Sequence, residues 1–407
     1  MSSARQIEEP LAETLSGAPF VRVAAASDGD SLAAAGLLAR ACAETDTPFQ
    51  LRLDDEAGVD TEDAVTVAVG PTAVDGDASL DHPASPAAFA LARHLGADPD
   101  PILALAGTIA AGETVRTADT ALDAAQESGL IDREPGLALP TDDVPTGLAA
   151  STLLHGPFSG DEDAAAALVA ELDAGDDATG SHAAGDDAGA VGSHAAGDDA
   201  GAVGSHAAGD DAGSGEEFDR RFASLVTVDT VTAEGATERA ATEIERALRP
   251  YVTPDAPFRT LGGYADVLDA VARTAPAAGV SLALGERSGD ATDAALAAWR
   301  KYGAAVHGQL RSAETRRHHG VWVLETEADA DVLPAVARLA RAFRSPEPVA
   351  LALTEGAAAA AGESGVGDAV TAAANAVDGT GHGTDDTGWA RFDTDTEQFT
   401  DAFREAL

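Results

Sequence analysis

The chain has one cysteine, Cys42, and one lysine, Lys301, in 407 residues. A single thiol excludes an intrachain disulfide, a CxxC redox pair and a thiolate zinc cluster, and it fits a reducing compartment. Cys42 itself reads as a small apolar side chain on the first predicted helix. No apolar run approaches the ~20 residues that a membrane span requires. Residues 1–10, MSSARQIEEP, carry no apolar signal core. The expectation is a soluble, untargeted, cytoplasmic protein with no membrane partner. Positive charge is scarce as well: 25 Lys+Arg stand against 70 Asp+Glu, a formal net charge of -45. Such a surface suits a halophilic interior, where dense carboxylates hold water and their repulsion is screened within about 3 Å at molar salt. The same screening leaves net charge silent about nucleic acid, because counterion release contributes little when salt is already molar.

What is present is two α/β segments around a low-complexity tract. Residues 173–216 are almost entirely Gly, Ala, Asp, Ser and His, and the unit GSHAAGDDAGAV recurs with His182, His194 and His206 in register. This composition cannot bury enough apolar area to offset chain entropy, so a disordered acidic linker is predicted. Two readings of the evenly spaced histidines stand, a metal-binding tract and slippage expansion of a linker. Before the tract, 20–25, 49–53 and 64–70 read as strands and 31–45, 86–95 and 102–111 as helices. That alternation predicts a doubly wound parallel sheet. After the tract, 233–250, 290–312 and 331–343 read as helices and 280–284, 320–324 and 348–353 as strands. The expected organisation is an extension 1–19, an α/β domain 20–172, the linker 173–216, a connecting helical segment 217–279 and a smaller α/β domain 280–407. Two such lobes imply a cleft between them.

The first strand ends in Ser27-Asp28-Gly29-Asp30-Ser31. Two carboxylates one residue apart at a strand's end begin many two-metal phosphoesterase sites. They serve equally as an acidic cap on the helix from Ser31. Further along come Val65-Thr66-Val67-Ala68-Val69-Gly70-Pro71, then Ser79-Leu80-Asp81-His82-Pro83, then Leu105-Ala106-Gly107-Thr108-Ile109-Ala110-Ala111-Gly112-Glu113. Near the end stand Val377-Asp378-Gly379-Thr380-Gly381-His382-Gly383 and a closing strand and helix from Arg391 to Leu407.

In this order the motifs resemble the DHH phosphoesterase superfamily, particularly its RecJ-like nucleases, with a DHH-associated C-terminal domain. The resemblance covers most of the chain apart from the extreme N-terminus and the repeat tract. It implies an N-terminal doubly wound DHH-like domain and a smaller C-terminal α/β domain. It also implies two manganese ions about 3.5 to 4 Å apart, bridged by a carboxylate, with a metal-bound hydroxide as nucleophile. Carried over by position, the leading His falls on Ala26, while Asp28 and Asp30 are retained. The bridging Asp falls on Ala68. Asp81 and His82 remain, the second His is Pro83, and the last Asp falls on Ala111. Alanine offers no lone pair, so the remnant Asp28, Asp30, Asp81 and His82 is expected to hold one manganese or magnesium ion, or none. Asp75, Asp77 and Glu113 lie close enough in sequence to stand in as ligands.

Degenerate members of the superfamily are nuclease-dead subunits, and the resemblance implies a protein that binds single-stranded DNA or RNA or joins the replicative helicase MCM and GINS. Two enzymatic readings stand beside it: a manganese-dependent single-strand exonuclease of the RecJ type, and a phosphodiesterase on oligonucleotides or cyclic dinucleotides. For nucleic-acid contact, Arg300 and Lys301 next to Trp299 and Tyr302, with Arg311, Arg316 and Arg317, make a basic stretch interleaved with aromatics. The same arginines read equally well as partners of the abundant carboxylates. Arg338, Arg341 and Arg344 read as solvated or ion-paired. Gly381 and His382 read either as a phosphate-approaching loop or as a plain turn.

Overall fold

The computed structural model describes residues 11–53, 63–72, 74–180, 211–286 and 288–407. The repeats bearing His182, His194 and His206 lie outside the described residues.

The N-terminal lobe is built on β1 (Phe20–Ala25), an apolar run buried from Val21 onward. β2 (Phe49–Leu53) and β3 (Ala64–Val69) flank it, and β4 (Ala78–Leu80) completes a parallel sheet of order β2-β1-β3-β4. Parallel neighbours need crossovers, and α1 (Gly29–Glu44) supplies the first. Its face toward α2 (Ala84–His94) and α3 (Pro101–Ala110) is mostly alanine, and every residue from Gly29 to Ala39 is buried. Small side chains are what allow that close approach: a Cβ on Gly107 of α3 would lie 2.6 Å from the Ala33 methyl. Cys42 packs in this core, and burial pushes its thiol up to about 11, so it stays a neutral apolar side chain. α4 (Asp119–Glu127), β5 (Asp132–Arg133), α5 (Val144–Ala150) and α6 (Glu162–Gly180) follow.

After the repeat tract come α7 (Asp211–Thr232), α8 (Glu238–Glu243), a short 3-10 turn over Ile244–Ala247, β6 (Tyr251–Val252), α9 (Leu261–Thr274), α10 (Pro276–Ala283) and α11 (Gly289–Ser312). Two expectations fail here. The single helix over 233–250 is broken, because Gly235 takes φ +79 and the chain restarts at Thr237. The strand over 280–284 is instead the end of α10, which Pro276 initiates at the first helical turn.

In the C-terminal lobe, β7 (Glu314–His318), β8 (Val321–Glu325), α12 (Leu333–Leu339), β9 (Val349–Thr354), β10 (Ala357–Ala361), α13 (Val366–Ala376), β11 (Thr380–Gly383), β12 (Thr387–Arg391) and α14 (Thr396–Ala406) form one layered unit. Its sheet has the order β11-β12-β10-β9-β8-β7, antiparallel except for β8 beside β9. Strand alternation splits two cores. Val349, Leu351, Leu353, Ala358 and Ala360 face Phe399 and Phe403 of α14. Ala350, Ala352, Ala357, Ala359 and Ala361 join Leu333 and Val336 of α12 in the main core. Among the described residues no helix is long and apolar enough to cross a membrane. The expected α/β class with two lobes is the one found.

Candidate functional site

The carboxyl ends of β1 and β3 finish level, Ala24 opposite Ala68 and Ala25 opposite Val69. Beyond them the chain turns into α1 through Asp28, whose φ of -137 is extended. The Asp28 carboxylate accepts the Ser31 N–H at 2.8 Å and the Ser31 hydroxyl at 2.9 Å, which makes it an N-cap. Asp30 faces the other way. Its carboxylate accepts the Ala84 N–H at 2.6 Å and the Ser85 N–H at 2.9 Å, and its carbonyl takes the Ser85 hydroxyl at 3.0 Å. Pro83, the N-cap position of α2, makes no side-chain cap bond, so Asp30 satisfies those first-turn donors from a different helix. Asp30 is 1% exposed, and burial, then the Asp28 charge, push its carboxyl up to about 6. Burial also raises Asp28 against the opposing pull of Ser31 and Arg273.

His82 Nδ1 stands 3.6 Å from the Asp30 carboxylate, while Asp81 is exposed on the turn before it. Ala26 and Ala111 present methyl groups to the cleft described below, and Ala68 is 6% exposed on β3. Asp77 accepts the Thr66 N–H at 2.8 Å and Glu113 the Thr117 hydroxyl at 3.0 Å. Asp75 is exposed, and none of these three lines the cleft. Among the described residues no group of three or more His, Cys, Asp or Glu side chains converges as a metal site. The donors present do not fit a pair of divalent ions: Asp28 and Asp30 are committed to helix ends, and Ala68 offers only a methyl group.

A guanidinium lies where these acids end. On α9, Arg273 reaches back one turn to Asp269, with Nε at 3.2 and 3.3 Å from the two oxygens and Nη2 at 3.0 Å from one of them. Asp269 also takes the Gly29 N–H at 3.3 Å. Gly29 is required there, since a Cβ would sit 2.8 Å from the Asp269 backbone nitrogen. Burial works to raise the Asp269 carboxyl, and Arg273, with Arg338 and the Gly29 N–H, outweighs it, holding the group below the ordinary carboxylate range.

Between the lobes opens a cleft of about 290 Å³. Asp28 and His82 come to it from the N-terminal lobe, and Asp269 and Arg273 from α9. Arg246, Arg338 and Arg341 line its middle, and His382, Trp389 and Arg391 its far wall on β11 and β12. Arg338 donates to the Thr152 hydroxyl at 3.3 Å, and Arg341 pairs with Glu243 at 3.6 Å and Glu363 at 3.5 Å. Arg391 lies over the Trp389 ring, 5.0 Å from its centroid, and His382 is tilted against the same ring at 5.2 Å. Five arginines thus gather at one cleft in a chain with 25 Lys+Arg. Asp331 and Asp386 lie on the same walls.

The basic stretch read from the sequence does not gather there. Arg300 and Lys301 are exposed on α11. Trp299 and Tyr302, read as aromatic partners for bases, are instead buried, and the Trp299 indole donates to Asp266 at 2.8 Å. Arg311 donates to the Ser159 and Gly160 carbonyls, Arg316 pairs with Glu325 at 3.2 Å, and Arg317 pairs with Glu347. Gly381 is explained by packing, as a Cβ would meet the Ala374 methyl of α13 at 3.0 Å. His382 alone of the seven residues lines the cleft. Sequence reading passed over Arg246, Asp269 and Arg273, which no local motif marks and which only the fold brings beside Asp28.

A family model described as "Uncharacterized protein rrnAC1427, C-terminal domain" matches residues 313–405. Uncharacterized protein rrnAC1427 of Haloarcula marismortui is 43% identical over 404 residues, covering 98% of this chain and 96% of that protein. Among solved structures, CDC45 from Entamoeba histolytica aligns with a TM-score of 0.54 at 8% identity, over 100% of this chain and 98% of that one. RecJ from Thermus thermophilus in complex with Mn2+ aligns with a TM-score of 0.47 at 14% identity, and this chain spans 54% of its length. The two-lobe fold implied by the motif order is thus shared with CDC45. By its sequence, the chain belongs to the family of the Haloarcula marismortui protein rrnAC1427.

Proposed function

We propose that the chain is a RecJ-like protein whose two-metal chemistry has lapsed and whose interlobe cleft holds the backbone of single-stranded DNA or RNA. The observation that carries this is a pairing of gain and loss at one place. The acids retained from the motif are spent on capping α1 and α2, while five arginines, His82 and His382 line the cleft they border. Guanidinium groups hold phosphate through directed, bidentate hydrogen bonds, which survive molar salt better than diffuse charge attraction does. Trp389 under Arg391 adds a ring face on the same wall. Arg300 and Lys301, exposed on α11, would extend the contact beyond the cleft. The resemblance supplies the setting, a subunit beside the replicative helicase and GINS.

The test is a labelled single strand of DNA or RNA incubated with the full chain in molar potassium chloride and manganese. Saturable binding with no released mononucleotides is expected. Sustained exonucleolytic release of mononucleotides overturns the reading.

A further inference from the structure

A second cavity, about 240 Å³, shares no lining residue with the interlobe cleft. His155 and Gly156 from the loop after α5, Thr230 near the end of α7, Arg311 of α11 and Arg344 ahead of β9 enclose it. Thr230 is 1% exposed and its hydroxyl has no hydrogen-bond partner. That is unusual for its own helix. Ser224, Thr227 and Thr232 of α7 each donate to the carbonyl four residues back, at 2.9, 2.7 and 2.7 Å. A buried hydroxyl left unpaired costs stability, so it points to a partner.

Two histidines define what that partner must offer. His155 Nδ1 lies 3.1 Å from His307 Nδ1, and His307 Nε2 lies 2.9 Å from the Ser151 carbonyl. Burial holds both rings neutral, taking His155 down to about 3 and His307 to about 4. A carbonyl only accepts, so the His307 proton sits on Nε2 and its Nδ1 is a lone pair. His155 therefore donates from Nδ1 and keeps Nε2 as an acceptor. The guanidiniums complete the set. Arg311 reaches only the Ser159 and Gly160 carbonyls and Arg344 only the Leu310 carbonyl, and neither forms an ion pair among the described residues. In a chain with 70 Asp+Glu, two arginines beside one cavity that both lack an ion pair among the described residues are a notable departure. Glu234 is on the wall too, but exposed.

We propose that this cavity binds a singly protonated phosphate group, as inorganic phosphate or a phosphomonoester. Arg311 and Arg344 face the anionic oxygens, the Thr230 hydroxyl donates to one of them, and a P–O–H donates to His155 Nε2. Chloride, the abundant competitor in molar salt, can satisfy the arginines but has no proton to give His155.

Thermal unfolding of the full chain at slightly acid pH, in potassium chloride of fixed ionic strength, tests this with inorganic phosphate, adenosine monophosphate or sulfate added. Phosphate or the monophosphate should raise the melting temperature with concentration. A response to the monophosphate alone identifies the ligand as a phosphomonoester, and a response to both identifies the free ion. In Thr230→Val and Arg344→Met the apparent dissociation constant should rise about tenfold, the worth of one hydrogen bond to an ion. Thr230→Val should also melt no lower than the parent without ligand, since it removes an unpaired hydroxyl, and so separates binding from folding. An equal response in Thr230→Val means an adventitious ion only, and that result, or no response in the parent chain, overturns the proposal. Sulfate binding as tightly as phosphate overturns it as well.

Discussion

Asp30 caps a helix that begins 54 residues later, its carboxylate taking the Ala84 N–H at 2.6 Å in a fully buried contact. The second aspartate of a motif that resembles a metal-binding turn is thus a structural acceptor, and its removal has a structural signature. Asp30→Ala leaves two buried N–H groups unpaired and should lower stability by about 2–4 kcal/mol. Asp28→Ala removes an ordinary N-cap and should cost about 1 kcal/mol. Urea unfolding in molar potassium chloride measures both. Equal costs for the two variants would contradict the separate roles.

Arg273 and the other cleft arginines should behave differently. Arg273→Met strands the Asp269 carboxylate and should destabilise the fold by about 3–5 kcal/mol. Arg338→Met removes a hydrogen bond to the Thr152 hydroxyl and a charge that lowers the buried Asp266 and Asp269 carboxyls, whereas Arg391→Met removes only its contact with the Trp389 ring. Arg391→Met should leave unfolding within about 1 kcal/mol of the parent, and both variants should weaken single-strand binding about tenfold. Fluorescence anisotropy with a labelled oligonucleotide reads the second effect, and unchanged affinity in both variants would place the nucleic acid elsewhere.

Gly29 fits against α9 with no room for a side chain. Gly29→Ala puts a methyl group 2.8 Å from the Asp269 backbone nitrogen and should cost about 1–3 kcal/mol. Differential scanning calorimetry checks this, and a melting temperature equal to the parent's would contradict the packing described.

The buried histidines set a pH dependence of definite sign. His155 and His307 titrate near 6.5 when unfolded and are taken down to about 3 and about 4 by burial. As pH falls, the unfolded chain gains protons first, so their contribution is whole above 6.5 and is lost as pH drops toward 4 and 3. The Asp30 carboxyl, raised from 3.8 to about 6, works the other way, its contribution whole below 3.8 and lost as pH rises through 6. A double variant His155→Gln, His307→Gln removes only the first effect. Between about pH 7 and about pH 5 the parent should lose about 2–4 kcal/mol more than the variant. Parallel stability profiles would show that the pair titrates normally.

Residues 20–111 of the N-terminal lobe were largely legible because their signals are local, while the elements between 112 and 172 went unread. Residues 20–25 and 49–53 are the observed strands to the residue, and the acidic cap read before Ser31 is the observed N-cap Asp28. Where tertiary context decides, sequence reading fell short. Ala357–Ala361 has the composition of a helix, yet pairing on both sides makes it β10, with all five alanines buried. Glu314–His318 read as a basic binding stretch and is an edge strand whose arginines pair with Glu325 and Glu347. The retained acids were visible, but their partners were not: nothing in the order of residues says that Asp30 faces Ala84 or that Asp28 shares a cleft with Arg273 and Arg391.

Manganese content tests the central claim most directly. The full chain is equilibrated with manganese in molar potassium chloride, freed of unbound ion, and its metal is counted against protein by elemental analysis. Zero or one ion per chain is predicted, because Asp28 and Asp30 are committed to helix ends and a methyl group stands at Ala68. Two ions per chain would contradict it.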